Sequence, residues 1–423
     1  MPVYFLRTIA LNKLTTLKEG PDLNPKYNKL LTWAKSDLEN NLIKWWASHT
    51  IDEKYGGFYG VVKNDNTPNH TADKFIVLNA RLIWTFSACY ETTKNEKYKE
   101  LATRAYEYVK NHFYDKDHGG FFTWLNYKGE PNAPHKFTYG NAFAIYGLSE
   151  YARVFNCEAA KKMAQETVTL LDTHMWDVQY GGYYETASQE WQYTPYVTML
   201  ISDTRVQKTM NTHLHILEAY TNLLRIDNSK ALRSRVRELL YLITNKILNK
   251  DNWHFYLFQE RDWTPTTPDL TLGHDIEGSW LLYETAEILH EPEALAHIRT
   301  VTVNMARAAY DDGLAENGAM HTEYHPQEKK YSSNFSWWEQ NEAIVGFLNA
   351  YQLTGEEKFL DASLATLDFI DKHFIDRKLG GWYSFLNSDG TPQVGRDKSN
   401  GYTCPYHNAR MSIEVIKRLS PLM

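Results

Sequence analysis

The chain has 423 residues and a formal net charge of −7, with its lysines dispersed along the sequence. That balance argues against nucleic acid and anionic membrane as partners, and no apolar run approaches the roughly 20 residues of a spanning helix. Met1-Pro-Val-Tyr-Phe-Leu-Arg7 is too short an apolar run for a secretory signal, and Cys89, Cys157 and Cys404 lack paired spacing, so free thiols in a cytoplasmic protein are expected.

In chain order, residues 1–23 precede any periodic pattern and form an extension of unassigned role. From there to residue 423 a single domain is expected. Apolar spacing predicts helices over 24–49, 78–93, 97–114, 138–156, 158–177, 211–226, 230–249, 275–290, 292–310, 338–354, 357–374 and 405–419. Turns such as Thr92-Thr-Lys-Asn-Glu96 and Leu353-Thr-Gly-Glu356 are short, so paired helices run antiparallel. Between pairs lies a recurring tract, Asp-x-x-x-Gly-Gly-aromatic-aromatic. It begins at Asp52, Asp115, Asp177 and Asp376, and its alternation suits a small β-hairpin.

The first three tracts start 63 and 62 residues apart (115 − 52 and 177 − 115), and the fourth follows after 199 (376 − 177), about three further periods. Two degraded copies fill that gap, Asp251-Asn-Trp-His-Phe-Tyr256 and the tract from Asp312 to His321. Six units of about 60 residues are each too small to bury an apolar face alone and must stack or close on one another. Twelve helices in six antiparallel pairs predict an all-α fold, an (α/α)6 barrel with short β-hairpins at one mouth. An open solenoid is the alternative, and no capping repeats are visible.

Each tract leads into an even-numbered helix, so an inner ring of those helices gathers their first turns at one place. The chemistry-bearing residues sit there: Arg81, Tyr139, Asn141, Asn211, His213, His215, His274, Glu277, Trp337, Trp338 and His407. Glu277 lies three residues after His274, where a carboxylate would fix the imidazole tautomer and raise its basicity; Asp275 reads as an N-cap. Arg81 stands among Leu82, Ile83 and Trp84 and needs a partner or an anionic ligand. Aromatic residues make up 14% of the chain, and one of Trp337 and Trp338 could stack on a sugar while the other packs in the wall. A metal held by His215, His274 and His407 is the competing reading; no ligand pair is spaced on one element, so no metal and no cofactor are expected. His321 and His325 fall in a degraded hairpin and read as surface residues.

Gly273-His-Asp-Ile-Glu277, Asn211-Thr-His-Leu-His215, Leu78-Asn-Ala-Arg-Leu82, Trp337-Trp-Glu-Gln-Asn-Glu342 and Cys404-Pro-Tyr-His-Asn408 resemble, in this order, the motifs of the N-acylglucosamine 2-epimerase superfamily. Within it, they resemble the branch of cellobiose and mannose 2-epimerases. The likeness runs from about residue 24 to the end. It implies an (α/α)6 barrel, no metal requirement, and inversion at C2 of an aldose. By the same resemblance His274 and His407 would be the two acid/base catalysts, Arg81 would bind and polarise substrate oxygens, and His215 would assist ring opening. Asn211, Tyr139 and Asp203 would bind sugar, with Asn141 beside them, and Glu277 would support His274. Where cellobiose epimerases carry a Trp five residues before the last catalytic His, this chain has Tyr402, which favours free mannose and glucose over a disaccharide. An aldose–ketose isomerase and an inverting glycosidase using Glu277, Glu342 or Asp203 are the rival activities. A small-molecule sugar is the expected partner, and the protein is expected to be a monomer or weak dimer.

Overall fold

The computed structural model describes residues 24–133, 135–194 and 206–422. Twelve helices order them. Helix α1 runs Pro25–Asp37, passes through a π turn at Leu38–Leu42 and continues as Ile43–His49; α2 is Ile76–Thr93, α3 Glu96–Tyr108, α4 Thr138–Phe155, α5 Glu158–Leu170 and α6 Met210–Leu224. Then come α7 Lys230–Leu242, α8 Leu272–Leu289, α9 Pro292–Gly313, α10 Trp337–Thr354, α11 Glu357–Phe369 and α12 Tyr406–Leu419. Helices α3, α5, α7 and α11 each end in a π turn, at Val109–Phe113, Leu171–Met175, Ile243–Ile247 and Ile370–Phe374.

Even-numbered helices pack in sequence and α12 returns to α2, so an inner ring closes. Each is buried nearly all round, as at Ile76–Cys89 and Thr138–Ala152, because ring neighbours and an outer helix enclose it. Odd-numbered helices form the outer layer, apolar on the face toward the ring and charged outside: α7 buries Leu232, Val236, Leu239 and Leu240 and exposes Arg233, Arg235 and Arg237 in varying degree. The antiparallel turns are short because α2, α4, α8 and α10 end in left-handed caps at Lys94, Asn156, His290 and Gly355. No helix among the described residues is long and apolar enough to cross a membrane.

Strand pairing joins neighbouring copies. Strand β1 (Lys74–Phe75), just before α2, pairs with β2 (Trp124–Leu125) beyond the next Gly-Gly tract. The same joint recurs as His135–Phe137 with Thr186–Ser188, Lys208–Thr209 with Phe258–Gln259, Leu270–Thr271 with Glu323–His325, and Asn334–Ser336 with Phe385–Asn387. A sixth joint, the Val62–Ser399 bridge, links last copy to first and completes the circle. The predicted hairpin within each Gly-Gly tract is a tight loop closed by one bridge, such as Ile51–Phe58 or Tyr114–Phe121, and the degraded copy at Leu248–Phe255 adds a second pair, Asn249–His254.

The tract's Asp and Gly residues serve a buried staple. Lys74 Nζ donates to Asp52 Oδ2 at 2.8 Å and to the Gly56 carbonyl at 2.7 Å, and Lys136 repeats this with Asp115 and Gly119 at 2.8 and 2.6 Å. Lys208 with Asp177 and Gly181, and Lys398 with Asp376 and Gly380, complete four equivalent copies. In the two degraded copies the bridges Leu248–Phe255 and Leu314–Met320 place Asn249 and Ala315 where the Asp stands, and Leu270 and Phe335 where the Lys stands. The staple is kept or lost as a whole, since half of it would strand a buried charge. This register also moves the degraded tracts: Asp251 and Asp312 do not take the position of the staple Asp. Gly57 has φ +61° and a Cβ there would meet the Tyr108 ring at 2.6 Å, so the second Gly is required twice over.

Candidate active site

The first turns of the inner helices meet at one end of the barrel, and three of their residues keep some exposure amid buried neighbours: Asn211, His274 and Trp338. These mark the opening. The Trp338 ring lies 4.5 Å from that of His274 and 5.5 Å from that of His407, so it packs against both histidines. Trp337 is buried, edge-on to Phe385 at 5.8 Å, and belongs to the wall.

One helical position recurs around the ring. The sixth residue of α2, α4, α6, α8 and α10 is Arg81, Phe143, His215, Glu277 and Glu342, and from the later start of α12 the fifth is Arg410. One and a half turns into each helix places these side chains on the same level of the ring interior. Arg81 lies over Phe143 and Tyr406, its carbon 4.2 and 4.9 Å from the ring centres, and donates to the Tyr139 hydroxyl at 3.1 Å and the Tyr402 carbonyl at 3.4 Å. Its Nε is buried without a hydrogen-bond partner, and among the described residues no carboxylate pairs with it.

His407 Nδ1 contacts Glu342 Oε1 at 2.7 Å, and His215 Nδ1 contacts Glu218 Oε2 at 2.8 Å. A neutral imidazole facing a carboxylate carries its proton on that nitrogen, which leaves Nε2 with a lone pair. Arg410 joins both pairs: its guanidinium bonds Glu218, Glu277 and Glu342, the last at 2.7 Å, while lying over the Trp280 and Tyr406 rings.

Glu277 does not hold His274 as expected. Its Oε1 is taken by Arg410, and His274 Nδ1 instead contacts the Thr271 hydroxyl at 2.8 Å. The expected rise in basicity is also reversed: burial, then His215 and Arg81, hold His274 down at about 3, and burial with Arg81 and Arg410 holds His407 well below the ordinary range. Burial and the adjoining Glu342 push Glu277 up to about 7. Burial acts against Glu218 too, but Arg410 and the His215 contact overcome it and keep that carboxyl at about 2.

Other expected site residues divide by their partners. Tyr139 lines the interior beside Arg81 and packs edge-on to His215 at 5.5 Å. Asn211 is at the opening, and among the described residues its Oδ1 has no hydrogen-bond partner. Tyr402 is half-buried, edge-on to Phe75 at 5.1 Å. Asn141 is committed elsewhere: its Oδ1 accepts from Phe121 N–H at 2.9 Å and its amide donates to the Phe137 carbonyl at 3.0 Å, latching the hairpin to α4. His213 and Asp275 do the same for Tyr183 and Phe255, both at 2.8 Å, so Asp275 is a latch rather than an N-cap. Asp203 lies outside the described residues.

His215, His274 and Glu277 offer ligand atoms within 4.8 Å of one another, as do Glu277, Glu342 and His407. Arg410 occupies the carboxylates in both sets, and a guanidinium beside them disfavours a cation. A carboxylate oxygen of Glu277 and one of Glu342 lie within 4.8 Å of each other, and Arg410 bonds both residues.

Sequence reasoning missed Arg410, Glu218, Tyr406 and Trp280. A signal was available: each histidine carries a charged residue three places on, as His215–Glu218, His274–Glu277 and His407–Arg410.

The closed α/α barrel thus gathers paired histidines and an arginine that, among the described residues, has no carboxylate partner. The chain belongs to the N-acylglucosamine 2-epimerase (GlcNAc 2-epimerase) family, whose profile matches residues 56–410. It is 38% identical to a cellobiose 2-epimerase of Bacteroides fragilis over 90% of this chain and 97% of that one. The solved cellobiose 2-epimerase of Bacillus thermoamylovorans superposes with TM-score 0.88 at 31% identity, covering 92% of this chain and 100% of that one. A D-mannose isomerase of Marinomonas mediterranea is 24% identical over 92% of this chain and 98% of that one.

Proposed function

We propose that the protein inverts C2 at the reducing-end aldose of a β-1,4-linked glucose disaccharide, with free glucose and mannose as a second reading. The reaction rests on one observation above all: Arg81 is a buried cation with no carboxylate partner among the described residues, and its Nε is free. Inversion at C2 passes through a cis-enediolate, whose oxygen needs a preorganised donor of positive charge. Arg81 supplies it beside Tyr139.

Inversion takes the C2 proton from one face of the open-chain sugar and returns another to the opposite face, so two groups must flank the carbon. His274 and His407, with the Trp338 ring beside both, suit this. Burial holds both pKa values below the ordinary range, so each is a neutral base without a second ring proton to deliver. Glu277, at about 7, has a ring nitrogen of His215 and one of His274 within 4.8 Å and can supply the proton that one histidine delivers. His215, held by Glu218, serves ring opening.

Similarity to cellobiose 2-epimerases at 28–38% identity supports the disaccharide. Tyr402 supports the monosaccharide, since a Tyr offers a smaller platform than a Trp for a second ring. Proton NMR in D2O with cellobiose and, separately, mannose tests both. Glucosyl-mannose with deuterium at C2 supports the first reading and glucose from mannose the second. A ketose as main product, or free glucose from cellobiose, refutes the epimerase.

A further inference from the structure

One buried side chain ties three inner helices together, and substrate chemistry does not call for it. Arg410 is 1% exposed, larger than almost any other fully buried side chain, and sits on the innermost face of α12 one turn after His407. Its guanidinium reaches carboxylates from three separate helices: Glu218 on α6, Glu277 on α8 and Glu342 on α10. The Tyr406 hydroxyl joins the same cluster, bonding both Glu218 and Arg410. Two of these carboxylates are the groups that hold histidines, Glu218 at His215 and Glu342 at His407.

We propose that Arg410 is the positioning residue of the site: through Glu218 and Glu342 it fixes the ring orientation and tautomer of His215 and His407 together. The proposal rests on the epimerase reading for its kinetic consequences but not for its geometry. Three buried carboxylates facing one another repel; burial and the neighbouring Glu218 push the Glu342 carboxyl up, and the Arg410 guanidinium is the charge that opposes this. A protonated Glu342 would donate to His407 Nδ1. The imidazole would then carry its own proton on Nε2, and the lone pair that removes the C2 proton would be lost. Trp280 Nε1 donates to Glu342 Oε2 at 3.0 Å, leaving that carboxylate no freedom to turn away. The groups facing this cluster from every packed helix are Arg81 on α2, Tyr146 on α4, His215 and Glu218 on α6, His274 and Glu277 on α8, Glu342 on α10, and Tyr406 and His407 on α12. Of these, Arg81 is the other fixed cation, and it bonds none of the three carboxylates.

Side-chain 15N NMR of the full-length protein reads histidine tautomers without reference to activity. In the native protein His215 and His407 are expected as Nδ1–H tautomers. In Arg410→Lys, whose single ammonium cannot bridge carboxylates on three helices and leaves those it misses to take up a proton, His215 and His407 are expected to shift toward Nε2–H. The kcat should drop about 100-fold, KM should stay within about threefold, and the acid limb of the kcat profile should move up by about one pH unit. In Glu342→Gln only His407 should change, which gives a second test if the lysine variant does not fold. A folded Arg410→Lys protein with unchanged tautomers overturns the proposal, whatever its kcat. So does a Glu342→Gln protein in which His215 and His407 change together, or in which neither changes. Absence of C2 deuterium incorporation by the native enzyme would instead sink the epimerase reading and leave the tautomer test standing.

Discussion

Single side chains set the chemistry because each acts in a buried, low-dielectric interior. Arg81→Met removes the charge that faces the developing oxyanion, and kcat is expected to fall about 1,000-fold while the thermal midpoint changes little, measured by initial rates and circular dichroism. His274→Asn and His407→Asn should each abolish inversion at C2 in a folded protein, although the remaining histidine can still exchange C2 deuterium on its own face; substantial epimerisation by either variant would end the two-base scheme. Tyr402→Trp should raise kcat/KM for cellobiose over that for mannose severalfold, if this position carries the second ring. His254 has a different part. It replaces the second Gly of the tract in a degraded copy, and its Nδ1 contacts Asp275 at 2.8 Å while its Nε2 contacts Asp312 at 3.1 Å. Burial alone would lower its pKa, but the two carboxylates outweigh that and hold it at about 9. A folded value above the ordinary 6.5 means full stabilisation below pH 6.5, lost as pH rises through 9. Thermal unfolding of His254→Gln should therefore fall furthest below the native protein near pH 6 and approach it above pH 9.

Elements are held in register by the repeated staple and latch. Lys136→Met leaves Asp115 buried without its cation and should cost about 3–5 kcal/mol in urea unfolding. Adding Asp115→Asn should recover part of that loss, because the amide still accepts the Asp117 and His118 N–H groups that Asp115 Oδ1 binds at 3.0 and 3.1 Å. If the double variant is less stable than Lys136→Met alone, the staple is not a paired charge. The helices themselves were legible beforehand: with each terminal π turn counted as part of its helix, every predicted bound lies within three residues of the observed one. Apolar spacing and short turns are local, and so readable. The staple was half legible. The Asp and Gly-Gly stood out as a tract, whereas the lysine, 21 or more residues further on, became part of it only once the chain had folded back.

At the scale of the molecule, the closed ring makes the mouth a product of all six copies. Because the Val62–Ser399 joint and the α12–α2 contact close the circle, no terminal copy is free to fray as in an open array. Urea unfolding should follow one transition, with tryptophan fluorescence and far-ultraviolet circular dichroism coincident; separated midpoints would indicate copies melting independently. By itself the sequence determined the repeat, the twelve helices, the α/α barrel, and the helix starts from which Arg81, His215, His274, Trp338 and His407 are gathered at one end of the ring, since these follow from local periodicity and a fixed period. Tertiary structure alone decided the partnerships. Glu277 stands in register to serve His274, yet Arg410, 133 residues later, takes its carboxylate. Asn141 looks like a sugar ligand and is used by its own hairpin, while Trp337 and Trp338, adjacent in sequence, part into wall and mouth. A buried charge takes whichever opposite charge the ring places beside it, and which one that is depends on how six helices converge.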